Sequence, residues 1–329
     1  MKKTLVSCYV IVCGFFFVPD RAQGVNFTWS IVGDTGNPSD PDNSRRSLGS
    51  VSYDYRISRF EVTNAQYVEF LNSVDPLGAN SHSLYSSEMT LSTGISFSSS
   101  NSVGQKYGIG FSDFNHRPVN NVTWNSAARF VNWLNNGQGS GDTEFGSYDM
   151  TLVKPFSAPT RLLGAKYVLP SHDEWYKAAY YAPGSASANG DDYWFYPTQS
   201  DNAPVFEEIP PGGANSANVG TWTGIGIPIT EIGAYSMTES YYGLFDMAGN
   251  VDEWVEDHFF GEDLASHLIK GGSFFSDRNM RSDDFSSMFG ESGNFFTGFR
   301  VAMIPEPSSV FLCLLGFLIL LSPRTARRK

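Results

Sequence analysis

The sequence predicts an α+β fold that is compact, irregular and low in regular secondary structure. Between Tyr242 and Arg300, tight glycine turns alternate with short aromatic segments, which is typical of strands and corners rather than of helices. Aromatic residues make up 15% of the 329-residue chain, and 32 Gly and 17 Pro stand beside only 17% charged residues. This composition favours loops held together by aromatic packing over long helices.

The helices that the sequence does predict are short and begin at capping residues. Capping signals occur at three places: Thr63 with Gln66, Thr123, and Ser171 with Glu174. The first convincing strand is predicted at residues 52–57. Residues 76–115 and 183–241 lack periodicity, and we expect an extended loop or hairpin in the first range and long structured loops in the second.

Both ends of the chain carry apolar segments next to basic residues. Residues 1–23 predict a secretory signal peptide, with a short buried helix as the alternative. Residues 305–329 contain 12 consecutive apolar residues from Val310 to Leu321, fewer than the roughly 20 that span a bilayer comfortably. Because basic residues flank both segments, the positive-inside rule predicts that the domain between them, residues 24–304, is exported.

The domain at residues 24–304 is acidic and contains no cysteine. It holds 15 Lys and Arg against 32 Asp and Glu, a net charge of −17, which disfavours nucleic acid and anionic lipid as partners. Cys8, Cys13 and Cys313 all lie in the terminal apolar segments. The domain sequence therefore excludes an internal disulfide, a thiolate zinc site and a cysteine nucleophile.

Several motifs in fixed order resemble one family, the formylglycine-generating-enzyme or sulfatase-modifying-factor domain. GLFDMAGNVDEW at 243–254, KGGSF at 270–274 and GFR at 298–300 resemble its signatures, and three upstream stretches agree in order: 61–67, 117–124 and 169–175. The resemblance covers residues 27–304. It implies a compact, irregular fold related to C-type lectin domains that often carries calcium.

The tail at residues 305–329 is similar to the PEP-CTERM sorting signal of bacteria. This resemblance implies an exosortase-type membrane protease as a partner. It also implies a cell-surface or extracellular protein that is anchored to the membrane only until the tail is processed. An ordinary short tail anchor is the alternative and predicts the same topology.

The turn from Asp246 to Glu253 is the candidate calcium site. Its spacing lets one turn bring both carboxylates and the carbonyls between them towards one point, an oxygen set that hard cations accept. The resemblance implies Asp246 and Glu253 as side-chain ligands and Gly249 and Val251 as carbonyl ligands, and it predicts stabilisation by calcium. Two surface carboxylates that cap turns are the alternative. The pair Asn218–Val219 matches part of a second family site without an evident acidic partner.

The catalytic cysteines of the family are missing. The resemblance implies that the enzyme binds copper(I) through two cysteines shortly after Gly-Gly-Ser, and the aligned positions here hold Ser276 and Arg281. Ser273 matches the serine of the enzyme's oxygen pocket, whereas Asp252 stands where the family usually has Trp and Phe285 where many relatives have Arg. Because oxygen and nitrogen ligands do not replace soft thiolates, no catalytic residue is assigned.

The sequence therefore predicts a non-catalytic or repurposed binding module. Trp194 and Trp222, with Ser273, are expected to line a groove for a glycan or peptide, while core filling is the alternative role for the aromatic residues. The alternative function is an oxidase of the wider family with a different chemistry, either metal-independent or iron-dependent. Its iron site would have to assemble from distant histidines without ligand spacing: His82, His116, His172, His258 and His267.

Overall fold

The computed structural model describes residues 24–42, 47–152, 160–207, 210–220, 228–259 and 266–305. The predicted signal peptide, the predicted sorting segment after Pro305, and Trp222 lie outside the described residues. Within them the chain has short helices and short strands joined by long loops, which confirms the irregular α+β prediction. None of the helices described is both long and apolar enough to cross a membrane.

The α-helices begin where the capping residues predict. Their bounds are α1 Asn64–Val74, α2 Glu88–Ser92, α3 Trp124–Asn135 and α4 His172–Tyr180. Thr63 and Gln66 form a complete capping box at α1, and Ser171 and Glu174 form another at α4. The side chain of Thr123 accepts a hydrogen bond from the backbone of α3. Each cap satisfies backbone N–H groups that have no partner inside the helix.

Two four-stranded sheets and one hairpin make up the described strands. The first sheet has the order β1–β2–β10–β5, the second β8–β7–β6–β9, and β3 pairs with β4. The bounds are β1 Trp29–Val32, β2 Tyr55–Ser58, β3 Ile95–Phe97, β4 Tyr107–Ile109, β5 Tyr167–Val168, β6 Asp252–His258, β7 Ser266–Lys270, β8 Ser286–Phe289, β9 Thr297–Phe299 and β10 Ala302–Met303. The range 76–115, expected as an extended loop or hairpin, contains α2 as well as the hairpin.

Strand β6 lies in the interior of the second sheet and joins the signature motifs. It runs parallel to β9, where Glu253 lies opposite Gly298, and antiparallel to β7, where Glu253 lies opposite Lys270. The GNVDEW, KGGSF and GFR segments are therefore adjacent although they are separate in sequence. This pairing positions the candidate site.

Aromatic packing fills the core, as the composition predicts. Phe70 of α1 and Phe130 of α3 meet with ring centroids 5.3 Å apart, and Phe130 packs edge-on against Phe299 of β9 at 5.3 Å. A second cluster packs Trp175 of α4 with Leu244 of the signature turn. Both clusters bury side chains on the two sides of β6, which holds the second sheet rigidly against the helices.

Candidate functional site

The signature turn requires unusual backbone conformations. Asp246 and Asn250 have positive φ angles of 56° and 60°, and Gly249 has φ 88°. A Cβ on Gly249 would lie 2.4 Å from the carbonyl oxygen of Asn218, so only glycine fits there. The backbone N–H of Gly249 donates to Gly271 at 2.8 Å, and that of Asn250 donates to Asn218 at 2.8 Å. The turn is therefore bound to the KGGSF segment on one side and to residue 218 on the other.

Arg300 and Glu253 form a fully buried ion pair under this turn. The guanidinium donates from Nε to Oε2 at 2.6 Å and from Nη2 to Oε1 at 2.5 Å, and neither side chain is exposed to solvent. The same guanidinium donates to the carbonyls of Phe245 and Ser58, each at 3.0 Å. Although burial disfavours the charge, Glu253 raises the pKa of Arg300 above its usual value.

Two further carboxyl groups, those of Glu61 and Asp246, are buried beside the ion pair. Asp246 accepts the N–H of Gly233 at 2.5 Å, and Glu61 accepts the side-chain amide of Asn250 at 3.2 Å. Burial raises the pKa of Asp246 to about 6 and that of Glu61 well above its usual range. The second oxygen of Glu61, Oε2, is buried and has no hydrogen-bond partner among the residues that the structure describes. Three carboxyl groups thus surround one guanidinium, which favours a neutral Glu61.

The four residues predicted to bind calcium lie on one turn and strand start, but their oxygens are not equally available. Both oxygens of Glu253 accept hydrogen bonds from Arg300, and Oε2 also accepts one from the indole of Trp175 at 2.7 Å. A cation at Glu253 would have to displace Arg300, so this side chain does not fit the role of a ligand as it is placed. Calcium binding by the carboxylate of Asp246 and the carbonyls of Gly249 and Val251 stays a prediction.

Nowhere in the described part of the chain, the Asp246 turn included, is a group of three or more His, Cys, Asp or Glu side chains arranged to hold a metal ion. At the second predicted position, the side-chain amide of Asn218 donates to the carbonyl of Pro228 at 2.7 Å and to the side-chain oxygen of Asn250 at 3.3 Å. Asn218 therefore fastens the turn to the segment that begins at residue 228.

The positions aligned with the copper cysteines have structural contacts. Ser276 pairs with Ser273 through backbone hydrogen bonds of 2.8 and 3.1 Å, which form a tight bridge. The guanidinium of Arg281 lies 4.4 Å from the ring centroid of Phe195 and forms an ion pair with Asp283. The stacking favours a cation at residue 281 and holds this loop against the loop of Phe195.

Asp252, which replaces the usual Trp, is a buried titratable group next to Ser273. Its carboxylate accepts the side-chain amide of Asn279 at 3.1 Å. Burial raises the pKa of Asp252 to about 7, and the nearby Asn279 and Ser273 side chains oppose this shift. A carboxyl group with a pKa near neutral pH can accept either a proton or a hydrogen bond.

The predicted groove residues are only partly placed by the structure. Ser273 is buried, and Trp194 is half-buried with an indole N–H that has no hydrogen-bond partner within the described ranges. The neighbour of Trp194, Phe195, accepts the N–H of Ser282 at 2.9 Å, so this loop meets the loop that follows Ser273. Near Trp222, Gly220 donates to the carbonyl of Ser273 at 3.2 Å.

Sequence reasoning missed an aromatic cluster beside Ser273. Phe275 and Phe296 stack with centroids 5.1 Å apart and an interplanar angle of 8°, and Phe295 packs against both at 5.3 Å. Phe275 is 40% exposed. The signal was the pair Phe295–Phe296 just before GFR, but nothing in the spacing shows that it meets Phe275 across the sheet end. We call these three side chains the phenylalanine cluster.

Comparison with known proteins agrees with this arrangement. A family model described as sulfatase-modifying factor enzyme 1-like domain matches residues 34–304. No protein of curated function matches the chain significantly.

Solved structures with similar folds were also found. CarF has a TM-score of 0.50 and 19% identity over 85% of this chain and 99% of its own. Treponema denticola variable protein 1 has a TM-score of 0.44 and 18% identity over 85% and 96%, and PvdO from Pseudomonas aeruginosa 0.43 and 17% over 78% and 82%. The likeness to CarF supports the same overall fold.

Proposed function

Because this chain belongs to the family of sulfatase-modifying factor enzyme 1-like domains, we propose that it is a binding module which has the family's fold without its copper chemistry. The observation that carries the proposal is the absence of cysteine from residues 24–304. Copper(I) is a soft ion that favours thiolate ligands, and serine and arginine at positions 276 and 281 do not supply them.

The contacts of Ser276 and Arg281 support a structural use of both positions. Ser276 accepts the backbone N–H of Arg278 at 3.2 Å, and Arg281 stacks on Phe195. In these contacts, Ser276 and Arg281 do not point metal-binding atoms towards a common position. The backbone bridge between Ser273 and Ser276 and the cation–π contact of Arg281 with Phe195 thus support a structural role for this loop.

The ligand we propose is a glycan or a peptide that contacts the phenylalanine cluster. Aromatic faces bury large areas with little loss of side-chain freedom, and they suit both the apolar face of a sugar and a hydrophobic side chain. The carboxylate of Asp252 and the amide of Asn279 lie close to Ser273, two residues before Phe275. Because Asp252, Asn279 and Ser273 are buried, direct contact with the ligand is proposed for the phenylalanine cluster alone.

Binding to glycan and peptide arrays tests this proposal. We expect the purified protein to bind, and the double variant Phe275→Ala/Phe296→Ala to lose at least tenfold in affinity. Phe289→Ala is the matched control, because Phe289 is 54% exposed on β8 outside the cluster. Thermal melting confirms that each variant is folded. Equal binding by the double variant and the control would contradict the proposed surface.

Metal analysis and an activity assay separate this proposal from the oxidase alternative. We expect no aldehyde to form on a cysteine peptide that carries the sulfatase recognition sequence when protein, copper(I) and oxygen are present. Turnover above the free-copper background that Ser273→Ala abolishes would contradict the module. Stoichiometric iron or copper in the purified protein would favour the oxidase.

Calcium is proposed as a structural ion at the Asp246 turn on the strength of the family resemblance. A ligand that binds only the folded state stabilises it by about 2.7 kcal/mol at a hundredfold excess over its dissociation constant. Melting with calcium and with chelator should therefore differ, and Asp246→Asn should remove the difference. Asp277→Ala, an exposed control, should keep it. An unchanged midpoint in the parent protein counts against calcium.

Export and processing are proposed from the two ends of the chain. Residues 1–23 act as a signal peptide in this proposal, and residues 305–329 act as a sorting signal that an exosortase-type protease removes. Mass spectrometry of the mature protein should find both segments missing. An intact terminus at Lys329 on most molecules would show instead that the tail is retained.

A further inference from the structure

Two of the five histidines meet on the second sheet, at positions other than those aligned with the copper cysteines. His258 ends β6, and His267 lies directly opposite it on β7. Their ring centroids are 4.2 Å apart and the ring planes are tilted by 51°. Directly opposite residues on antiparallel strands have side chains on the same face of the sheet. The pair therefore presents two imidazoles from adjacent, paired strands.

His267 is held in one orientation by its neighbours. Its ring stacks on Trp124 of α3 with centroids 3.8 Å apart and an interplanar angle of 17°. Its Nδ1 lies 3.2 Å from the carbonyl oxygen of Glu256, a donor contact that leaves Nε2 with a free lone pair. Imidazoles that bind metals in proteins commonly donate their other N–H to a backbone carbonyl in this way.

His258 is half-buried and its hydrogen bonding is incomplete. In the part of the chain that the structure describes, its buried Nδ1 has no hydrogen-bond partner. Burial lowers the pKa of His258, with Asp257 opposing the shift, and burial together with His258 lowers that of His267 to about 3. Both rings are therefore neutral near pH 7, the form in which imidazole binds metals.

We propose that His258 and His267 bind a divalent transition-metal ion of the copper, nickel or zinc class. With metal–nitrogen distances of about 2.0–2.1 Å, two imidazoles in adjacent positions at a right angle have centroids about 4.5 Å apart. The observed centroid distance of 4.2 Å is close to this value. Since the described residues place no third His, Cys, Asp or Glu there, water or an external ligand completes the coordination.

Titration with copper(II) chloride tests the site, because Trp124 reports on it. Copper(II) bound at His267 lies close enough to quench Trp124, so the protein should show saturable quenching with one equivalent. We expect His258→Ala to weaken binding at least tenfold in calorimetry and to remove the saturable phase. His82→Ala and His116→Ala are matched controls with exposed histidines and should bind as the parent does.

Two results would overturn the proposal. One is the same affinity in His258→Ala as in the parent, and the other is no binding of copper(II), nickel(II) or zinc(II) by the parent. Because His258 is half-exposed, we expect its replacement to leave the fold intact, and the melting curve of each variant checks this. His258→Asn is the second variant, and it keeps a polar side chain at this position. Excess calcium in all titrations keeps the Asp246 turn from contributing.

Discussion

Helix α4 separates two buried arginine–carboxylate pairs that differ in their access to water. On one side Arg300 and Glu253 are both 0% exposed. On the other side Arg161 is 18% exposed and binds Glu174, which is 1% exposed, through hydrogen bonds of 2.9 and 2.7 Å. Arg161 also pairs with Glu256 at 2.7 Å. Neighbouring residues of α4 connect the pairs, since Glu174 faces Arg161 and Trp175 donates to Glu253.

The difference lies in what each pair joins. Arg300 fastens three distant segments, because it binds Glu253, the carbonyl of Phe245 and the carbonyl of Ser58 at the end of β2. Arg161 reinforces a helix start, because Glu174 belongs to the capping box of α4. A charge sealed from water has no alternative partner when its counter-ion is removed, whereas a partly exposed one is rehydrated. The enclosed pair should therefore matter more for stability.

Removal of Arg300 should have the largest effect. We expect Arg300→Met to lower the free energy of unfolding by about 3–5 kcal/mol, because it leaves Glu253 as an unpaired buried charge. Urea unfolding followed by circular dichroism measures the change. The double variant Arg300→Met/Glu253→Leu should recover part of the loss, since apolar replacement of both partners removes the unpaired charge. A loss below 1 kcal/mol in the single variant would contradict the inference that this ion pair stabilises the fold by joining the three segments.

Removal of Arg161 should cost less. We expect Arg161→Met to lower the free energy of unfolding by about 2–3 kcal/mol, because Glu174 keeps its hydrogen bonds from Tyr53 at 2.6 Å and from the backbone of Ser171 at 2.7 Å. The same urea measurement applies. If Arg161→Met proved more damaging than Arg300→Met, solvent access would not be what distinguishes the two pairs.

The Arg161 pair should also give the protein an acid-sensitive part of its stability. Burial raises the pKa of Glu174, but Arg161 lowers it more, and the net pKa lies below its usual value. A depressed pKa in the folded state contributes stability above the unfolded pKa of about 4.3, which is lost as pH falls through the folded pKa. Unfolding free energy measured from pH 5 to pH 2.5 should therefore fall more steeply in the parent than in Glu174→Gln. Equal slopes would contradict this assignment.

The two ion pairs also show how much of the structure could be predicted from the sequence. The start of α4 was predictable because Ser171 and Glu174 are three residues apart and cap the helix by local hydrogen bonds. Glu253 was expected to be a calcium ligand, since nothing local shows that the guanidinium of Arg300 binds both of its carboxylate oxygens. Partners separated by 47 residues are determined by tertiary packing.

The same limit applies to the phenylalanine cluster and to the histidine pair. Phe275 meets Phe296 because both segments bind the start of β6: the N–H of Phe274 donates to the carbonyl of Asn250, and the N–H of Asp252 donates to that of Phe296. His258 and His267 meet through the register of the β6–β7 hairpin, which contains an irregularity between Trp254 and His258. A shift of one residue in that register would place the rings on opposite faces, so the pairing could not be read from the residue spacing.

The smallest expected effect comes from the caps, and it isolates what Arg161 adds to a capping box. Ser171→Ala removes the hydroxyl that accepts the N–H of Glu174 at 3.2 Å, and Thr63→Ala removes the equivalent acceptor for Gln66 at 3.3 Å. Each change should cost about 1 kcal/mol, the usual value of an N-cap. The two capping boxes differ at the N3 residue of the helix. Glu174 also forms an ion pair with Arg161, whereas Gln66 is uncharged and forms none. Because that ion pair keeps Glu174 at the helix start after the hydroxyl is lost, Ser171→Ala should lower the free energy of unfolding less than Thr63→Ala does in the parent. In an Arg161→Met background, the two changes should have equal effects. A double-mutant cycle measured by urea unfolding gives the difference, and a cycle energy of zero would mean that the ion pair and the cap act independently.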